Sequence, residues 1–195
     1  MIKNTIAPPA KILDVAAAQG NFSLLLAEAG YHVTWNDIRS ELVDYVRLKY
    51  EVGRLDFLPG NLLNLQLRDT FDMILIAEII EHVAHHDQFL TTIASMVKPG
   101  GFVVLTTPNG GYFRSRLPRF SSFGDPAVFE PVQFSPDADG HIFLLHLDEI
   151  NTLASECGLE MRDGKLFTNV LTAGHLKTVR LLNTFSRRWI ERCDK

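Results

Sequence analysis

Short apolar runs alternate with longer amphipathic stretches along the first 110 residues, and no other feature constrains the fold as strongly. Short apolar runs are typical of strands buried on both faces, and amphipathic stretches of about ten residues are typical of helices. This alternation predicts a doubly wound α/β domain, with a mostly parallel sheet and helices on both faces. The predicted strands cover residues 11–16, 31–36, 55–58, 71–77 and 102–107.

The amphipathic stretches predict the elements that connect these strands. Helices are expected at 21–30, 40–50, 88–97 and 147–157, and a further strand is expected at 159–162. No apolar run beyond that point suits a final strand, so we expect the sheet to lack one.

Two segments depart from the alternating pattern. Residues 108–140 hold five of the nine prolines and predict an irregular insert over the active site. Residues 171–193 predict a C-terminal helical extension, within a segment (161–195) that carries eight Lys or Arg against three Asp or Glu. Such a basic run is either a solvated helix face or a contact for an anionic partner. We expect a single domain over residues 1–195.

Composition excludes several classes of protein. The chain is 46% hydrophobic and 22% charged, which is typical of a globular protein. Charged residues or glycine break every apolar stretch well short of the ~20 residues that a membrane span needs. The N-terminus lacks the pattern of a signal peptide, and two cysteines cannot form a disulfide framework. We therefore expect a cytoplasmic protein that does not bind membranes.

Small or polar residues follow three consecutive predicted strands. The first strand leads into the turn Asp14–Gly20, the second ends at Asp37, and the third is followed by Asn61. Ligands of an open parallel sheet bind at the carboxyl ends of the strands, where the strand order reverses. Each feature alone is also typical of helix–sheet packing or of a surface turn. Their order and spacing together predict one ligand site.

The chemistry of these positions suits a nucleotide. Small side chains in the turn allow a ligand to approach the backbone, and the next helix presents free N–H groups. Asp37 can accept hydrogen bonds from both ribose hydroxyls. Asn61 can accept one from an adenine amino group, and the Leu62 N–H can donate one to a ring nitrogen. A nicotinamide cofactor is the main alternative, but Gly20 is the only glycine of its Gly-x-Gly-x-x-Gly loop present here. A cofactor without phosphate tolerates this turn better.

Three motifs resemble those of class I S-adenosylmethionine-dependent methyltransferases, which have a Rossmann-like fold. They are the first-strand motif at 12–20, the fourth-strand motif at 71–83 and the turn into the fifth strand at 97–105. The resemblance extends over about residues 11–165. It implies S-adenosylmethionine as the cofactor and methyl transfer as the activity.

The cofactor-binding residues that the resemblance implies all lie at strand ends. They are Asp14, Ala16, Ala18 and Gly20 for the methionine part, Asp37 for the ribose, Asn61 and Leu62 for the adenine, and Ala77 for the reacting centre. Ala16 and Ala18 replace glycines of the family motif, so we expect the turn to use conformations that alanine tolerates. Asn61 replaces a commoner aspartate, which exchanges a charge for a neutral acceptor.

Glu78, Glu81 and His82 are spaced so that a helix after the fourth strand would place them on one face. Carboxylates and imidazoles together can bind a divalent ion, and His141 follows His82 by 59 residues. The cluster resembles that of the small-RNA 3′-terminal 2′-O-methyltransferases and the ubiquinone-biosynthesis O-methyltransferases. This implies a site for Mg, Mn, Fe or Zn, in which His82, Glu78 and His141 take part in catalysis. The alternative is a metal-free enzyme whose histidine is structural or contacts the substrate.

The methyl acceptor is the least constrained feature. Aromatic residues of the segment 108–140 either line a pocket for it or anchor a long loop. The acidic residues 1–160 and the lack of an RNA-binding module favour a hydroxyl oxygen of a small metabolite over RNA. Two other functions stay open: S-adenosylmethionine binding without catalysis, and nicotinamide-dependent oxidoreduction.

Overall fold

A computed structural model describes most of the chain. The described residues are 2–65, 67, 68, 70–112, 116–133 and 141–165. The compact unit that contains the sheet runs to Glu160, and a second unit begins at Met161. The predicted extension at 171–193 and part of the predicted insert lie outside the described residues, so the single domain over 1–195 stays a prediction.

Five parallel strands form one sheet. They are β1 (Lys11–Val15), β2 (His32–Trp35), β3 (Arg54–Phe57), β4 (Phe71–Ala77) and β5 (Val97–Thr106). Their order in the sheet is β3–β2–β1–β4–β5. The direction of winding therefore reverses between the neighbours β1 and β4, which confirms the predicted doubly wound fold and places the crevice at the carboxyl ends of these strands.

Five α-helices are described. They are α1 (Ile2–Thr5), α2 (Asn21–Glu28), α3 (Leu42–Lys49), α4 (His86–Met96) and α5 (Leu147–Glu156). Of these, α2, α3 and α4 connect successive strands. None of these described helices has the length and apolarity that crossing a membrane requires. Gly20 precedes α2 in the left-handed conformation (φ 71°), and a Cβ there would lie 2.8 Å from the Val46 side chain on α3. Glycine is therefore required by both conformation and space.

Alternate side chains of the central strands fill cores on both faces of the sheet. Leu13 and Ile74 are fully buried in the core that also contains Ile93 of α4. Their neighbours Ile12 and Met73 are fully buried in the other core, which α2 covers. Burial of each such side chain contributes about 1.5–3 kcal/mol. Because both faces are covered, the strands need continuous apolar runs, and this is the pattern in the sequence.

The predicted strand at 159–162 is wrong. Residues 159–165 form neither helix nor strand. Gly158 follows α5 with a φ of 77°, and the Leu159 N–H donates to the Ala154 carbonyl at 2.8 Å. Because the Leu159 N–H is bonded to the end of the helix, it cannot pair with a neighbouring strand.

Gly53→Ala and Gly60→Ala separate a conformational cost from a steric one. Both glycines have a positive φ (104° and 118°), so each substitution should cost about 1–2 kcal/mol. A Cβ on Gly53 would also lie 2.2 Å from the Ala27 carbonyl oxygen of α2, whereas one on Gly60 meets nothing within 4 Å. We expect Gly53→Ala to lower the free energy of unfolding by at least ~2 kcal/mol more than Gly60→Ala, measured in urea. Equal losses would contradict this packing.

Candidate functional site

The turn after β1 is bonded to the end of β2. The Ala17 N–H donates to the Asn36 carbonyl at 2.8 Å. The Trp35 indole N–H donates to the Ala18 carbonyl at 3.0 Å, and the Ala18 N–H donates to the Asp37 carboxylate at 2.8 Å. These bonds hold the first two strand ends side by side.

The end of β3 joins the same group. The Gly60 N–H donates to the Asp37 main-chain carbonyl at 2.8 Å. The buried Asn36 side-chain amide donates to the carbonyls of Leu58 and Gly60 at 2.7 and 3.0 Å. Asn61 follows directly, so the three strand ends that carry the predicted cofactor residues meet at one edge of the sheet.

The turn adopts conformations that alanine tolerates poorly. Ala16 and Ala18 have φ values of 49° and 48°, in the left-handed region. The expectation of alanine-tolerant conformations is therefore wrong, because the bonds to β2 impose the shape of the turn. Each residue carries about 1–2 kcal/mol of strain. The backbone keeps a shape that suits glycine, although the sequence supplies alanine.

Asp14 is almost completely buried at the end of β1. Its carboxyl group accepts a hydrogen bond from the Ser23 hydroxyl of α2 at 2.5 Å. Burial raises the pKa of Asp14 to about 6, hydrogen bonds from Ser23 oppose the rise, and the negative charge of Asp37 adds to it. Asp14 thus fixes the first turn of α2 against β1.

Asp37 is buried, and its carboxylate accepts four hydrogen bonds. Oδ1 accepts the Arg39 main-chain N–H at 2.9 Å and the Arg39 Nε–H at 3.0 Å. Oδ2 accepts the Ala18 N–H at 2.8 Å and a terminal guanidinium N–H of Arg39 at 3.3 Å. The ribose-binding role of Asp37 stays a prediction.

The remaining predicted cofactor residues lie nearby. The Asn61 side-chain oxygen accepts the Leu63 N–H at 3.0 Å and so caps a short 3₁₀ turn, Leu62–Asn64. A carbonyl oxygen has a second lone pair, so this bond leaves Asn61 one acceptor position. Leu62 is buried, and Ala77 is half-buried at the end of β4. Their contacts with adenine and with the reacting centre stay predictions.

A second polar group follows β4. The segment there is a single 3₁₀ turn, Ile80–His82, and Glu78 precedes it with an exposed side chain and a φ of 55°. The expectation of one helical face for Glu78, Glu81 and His82 is therefore wrong. Ligand atoms of Glu81, His82 and His141 lie within 4.8 Å of one another, and Glu78 is not part of this group.

Glu81 is fully buried but only partly hydrogen-bonded. Its Oε2 accepts the Thr107 hydroxyl at 3.0 Å, whereas Oε1 has no hydrogen-bond partner among the described residues. Burial raises the pKa of Glu81 to about 7; the Thr107 bond opposes the rise, and the charge of Glu78 adds to it. A buried oxygen without a donor is unfavourable unless a cation or a donor binds it. The Glu81 carbonyl accepts the Ile142 N–H at 2.8 Å, which brings His141 beside it.

Aromatic side chains of the predicted insert pack on one buried ring. Phe120, Phe123 and Phe129 make edge-on contacts with Phe143, with ring centroids 5.5, 5.7 and 4.9 Å apart. Phe143 is fully buried and lies two residues after His141. These contacts favour the loop-anchor interpretation of the three aromatics over the pocket interpretation.

Four residues that shape the site were missed by the sequence analysis. They are Ser23, Asn36, Arg39 and Thr107. Ser23 is in the first turn of α2, Asn36 and Thr107 directly follow strands, and Arg39 lies in the segment between β2 and α3. A polar residue at such a position is a usable signal. Their partners lie on other elements, so the sequence could not identify the bonds.

A cavity of about 320 Å³ lies at the opposite edge of the sheet. Its lining includes Lys11, His32 and Arg54, at the amino ends of β1, β2 and β3. The strands separate this cavity from the cofactor residues. It is therefore distinct from the predicted ligand site.

Comparison with known proteins decides the family. A family model described as "Methyltransferase domain" matches residues 3–163. The chain belongs to the class I S-adenosylmethionine-dependent methyltransferases. This confirms the family that the three motifs predicted and does not favour a nicotinamide-dependent oxidoreductase.

Two curated proteins show how far the similarity of this methyltransferase domain extends. It is 32% identical over 102 residues to the mitochondrial ubiquinone biosynthesis O-methyltransferase of Schizosaccharomyces pombe, covering 50% of this chain and 37% of that protein. It is 27% identical over 153 residues to a probable S-adenosylmethionine-dependent methyltransferase of Mycolicibacterium smegmatis, covering 78% and 52%. The chain thus spans about half the length of these relatives, or less.

A solved S-adenosylmethionine-dependent methyltransferase from Methanosarcina mazei has the same fold. The two structures match with a TM-score of 0.63 at 20% identity, over 87% of this chain and 90% of the other. This likeness concerns the fold alone, and it confirms the predicted Rossmann-like architecture.

Glycine at position 16 or 18 should stabilise the domain. Ala16→Gly and Ala18→Gly each remove about 1–2 kcal/mol of left-handed strain and add about 0.5–1 kcal/mol of unfolded-state entropy. We expect each to raise the free energy of unfolding in urea by up to ~1 kcal/mol. Ala17→Gly is the matched control, because Ala17 is not among the residues with positive φ, and it should destabilise. The same sign for all three variants would contradict the strain.

Asp14→Asn should change the pH dependence of stability. The pKa of Asp14 rises from its usual 3.8 to about 6 on folding, so its contribution is complete below pH 3.8 and is lost as the pH rises through 6. The amide of the variant stays neutral, so stability relative to the parent should increase by roughly 2–3 kcal/mol between pH 4 and pH 7 in denaturant titrations.

Asp44→Asn is the control for this measurement, because the Asp44 side chain is 87% exposed. Its stability difference from the parent should stay constant across the same pH range. A constant difference for Asp14→Asn would show that the Asp14 carboxyl ionises freely in the folded domain.

Proposed function

We propose that this methyltransferase domain transfers the methyl group of S-adenosylmethionine to a hydroxyl oxygen of a small molecule, with a divalent ion bound by Glu81, His82 and His141. One observation carries the proposal. A buried carboxylate with an unpaired oxygen lies beside two imidazoles, just past β4. β4 neighbours β1, whose turn carries the cofactor residues.

The residues at the ends of β1, β2 and β3 fit the cofactor. The segment Ala16–Ala18 has only small side chains, and Ala16 and Ala18 have glycine-like conformations, so the backbone can approach a ligand. The Asp37 carboxylate lies where a ribose diol would bind, and the Arg39 side chain holds two of its four acceptor positions. Asn61 with Leu62 suits adenine. Asp14 fixes the start of α2 beside the methionine part. When bound, S-adenosylmethionine supplies a methyl group on a positively charged sulfur.

The residues around Glu81 fit a divalent ion. One buried oxygen and two imidazoles within 4.8 Å form a mixed oxygen and nitrogen set, which suits Mn, Fe or Zn and accommodates Mg with added water. When bound, such an ion lowers the pKa of a hydroxyl and orients it. The chain's part is to hold the ligands together, because the hydrogen bond from the Ile142 N–H to the Glu81 carbonyl joins the two segments that carry them.

The two histidines also offer a general base. The acceptor hydroxyl must lose its proton as its oxygen bonds to the methyl carbon, and an imidazole suits that task near neutral pH. The rings of His82 and His141 lie 5.1 Å apart, so in a site without the ion either imidazole can take the proton. With the ion bound, both imidazoles are its ligands and the proton passes to water. We assign exposed Glu78, at the end of β4, to orienting the acceptor rather than to the metal.

Similarity to other proteins supports oxygen as the accepting atom. The S. pombe relative is named an O-methyltransferase. We favour a small hydroxylated molecule over RNA, because residues 1–160 are acidic and would repel a phosphate backbone.

Removal of solvent and alignment of the two reactants together lower the barrier by up to ~7–11 kcal/mol.

Titration calorimetry tests the cofactor part of the proposal. The domain should bind S-adenosylhomocysteine, and it should not bind NAD at comparable concentration. Transfer of labelled methyl to hydroxylated small molecules then tests catalysis. Tighter binding of NAD would overturn the cofactor assignment, and cofactor binding without any methyl transfer would support a binding module instead.

Mn²⁺ titration of the domain tests the metal part. Glu81→Gln and His141→Ala should each weaken Mn²⁺ binding by more than tenfold, since changes even in outer-shell partners of a metal cost about 10–100-fold. His32→Ala is the control, because it removes a histidine at the opposite edge, paired with Asp56. If both cluster variants keep the Mn²⁺ affinity of the parent and the activity persists in the presence of a chelator, these residues do not bind a functional ion.

A further inference from the structure

Arg39 occupies acceptor positions that the proposed cofactor needs. A carboxylate has about four lone-pair positions, and all four on Asp37 accept hydrogen bonds. Two donors are main-chain N–H groups, of Ala18 and of Arg39 itself. The other two belong to the Arg39 guanidinium group.

The two pairs of donors differ in their freedom to leave. The Ala18 N–H is held in place, because the Ala18 carbonyl accepts the Trp35 indole N–H and so fixes the turn. The Arg39 side chain is 47% exposed, whereas Asp37 is 2% exposed. The guanidinium can therefore swing into solvent while both main-chain bonds remain.

Departure of the guanidinium would leave a specific pattern of acceptors. Oδ1 would keep the Arg39 main-chain N–H and lose one donor, and Oδ2 would keep the Ala18 N–H and lose one donor. Each carboxylate oxygen then has one free acceptor position. Two adjacent hydroxyl groups, as in a ribose diol, match this pattern.

We propose that the Arg39 guanidinium occupies the ribose position of this domain and is displaced when a nucleoside with a 2′,3′-diol binds. This inference rests on the proposed cofactor. Arg39 then acts as a specificity-determining residue, because a ligand must supply two donors to replace the two that leave Asp37. A ligand without the diol gains nothing from displacing it.

The pairing of the Arg39 guanidinium with Asp37 competes with the diol and so lowers the apparent affinity of the domain for it. Only the fraction of molecules with the guanidinium turned away can bind, so removal of the side chain should tighten binding. The Arg39 side chain is partly exposed, so solvent screens its attraction to Asp37 and keeps the effect modest. We expect roughly tenfold tighter binding in Arg39→Ala.

Calorimetric titration with three probes tests this inference. The probes are S-adenosylhomocysteine, adenosine and 2′,3′-dideoxyadenosine. Arg39→Ala should bind the first two about tenfold more tightly than the parent does, with little change for the dideoxynucleoside. Arg39→Lys keeps the charge but cannot make the two-pronged contact, so it should give an intermediate increase. It also carries the test if Arg39→Ala does not fold.

Arg47→Ala is the matched control, because Arg47 pairs with exposed Asp44 on α3 and its loss changes the net charge equally. Its affinities should equal those of the parent. Unchanged or weaker binding of S-adenosylhomocysteine by the Arg39 variants would overturn the inference alone. Failure of the parent and of every variant to bind any adenosine probe would overturn the proposed function, and the inference with it.

Discussion

Hydrogen bonds at Ala18 hold the turn after β1 against the end of β2, and the cofactor site depends on them. Ala18 donates its N–H to Asp37 and accepts the Trp35 indole N–H on its carbonyl. Because both polar groups of Ala18 are fixed, the residue keeps its left-handed conformation despite the strain. Trp35 is fully buried in a core with Val46, so the packing of α3 supports the shape of the turn.

The strand order places two groups of functional residues next to each other. The ends of β1, β2 and β3 carry residues suited to a nucleoside, and the segment after β4 carries Glu81 and His82. Main-chain hydrogen bonding from Ile142 to Glu81 adds His141 to the second group. Because β1 and β4 are adjacent in the sheet, a methyl donor and an acceptor bound at these two places would be neighbours. The fold thus supplies the proximity on which a displacement reaction depends.

Local patterns predicted the elements well, and tertiary contacts explain what they missed. The run Phe71–Ala77 was predicted with its observed bounds, because burial on both faces leaves a continuous apolar signal. The conformations of Ala16 and Ala18 are imposed by bonds from β2 that no local propensity encodes. Glu78 was grouped with Glu81 because residues at this spacing share one face of an α-helix. The segment forms a 3₁₀ turn instead, so the grouping fails.

We expect one adenosine-bearing ligand to span the ends of β1, β2 and β3. A crystal structure of the domain with S-adenosylhomocysteine tests it most directly. We expect density for the ribose at Asp37, for the adenine at Asn61, and for the amino-acid part along the turn Asp14–Gly20. Density in the cavity at the amino ends of the strands instead, or no single ligand that contacts all three positions, would contradict it.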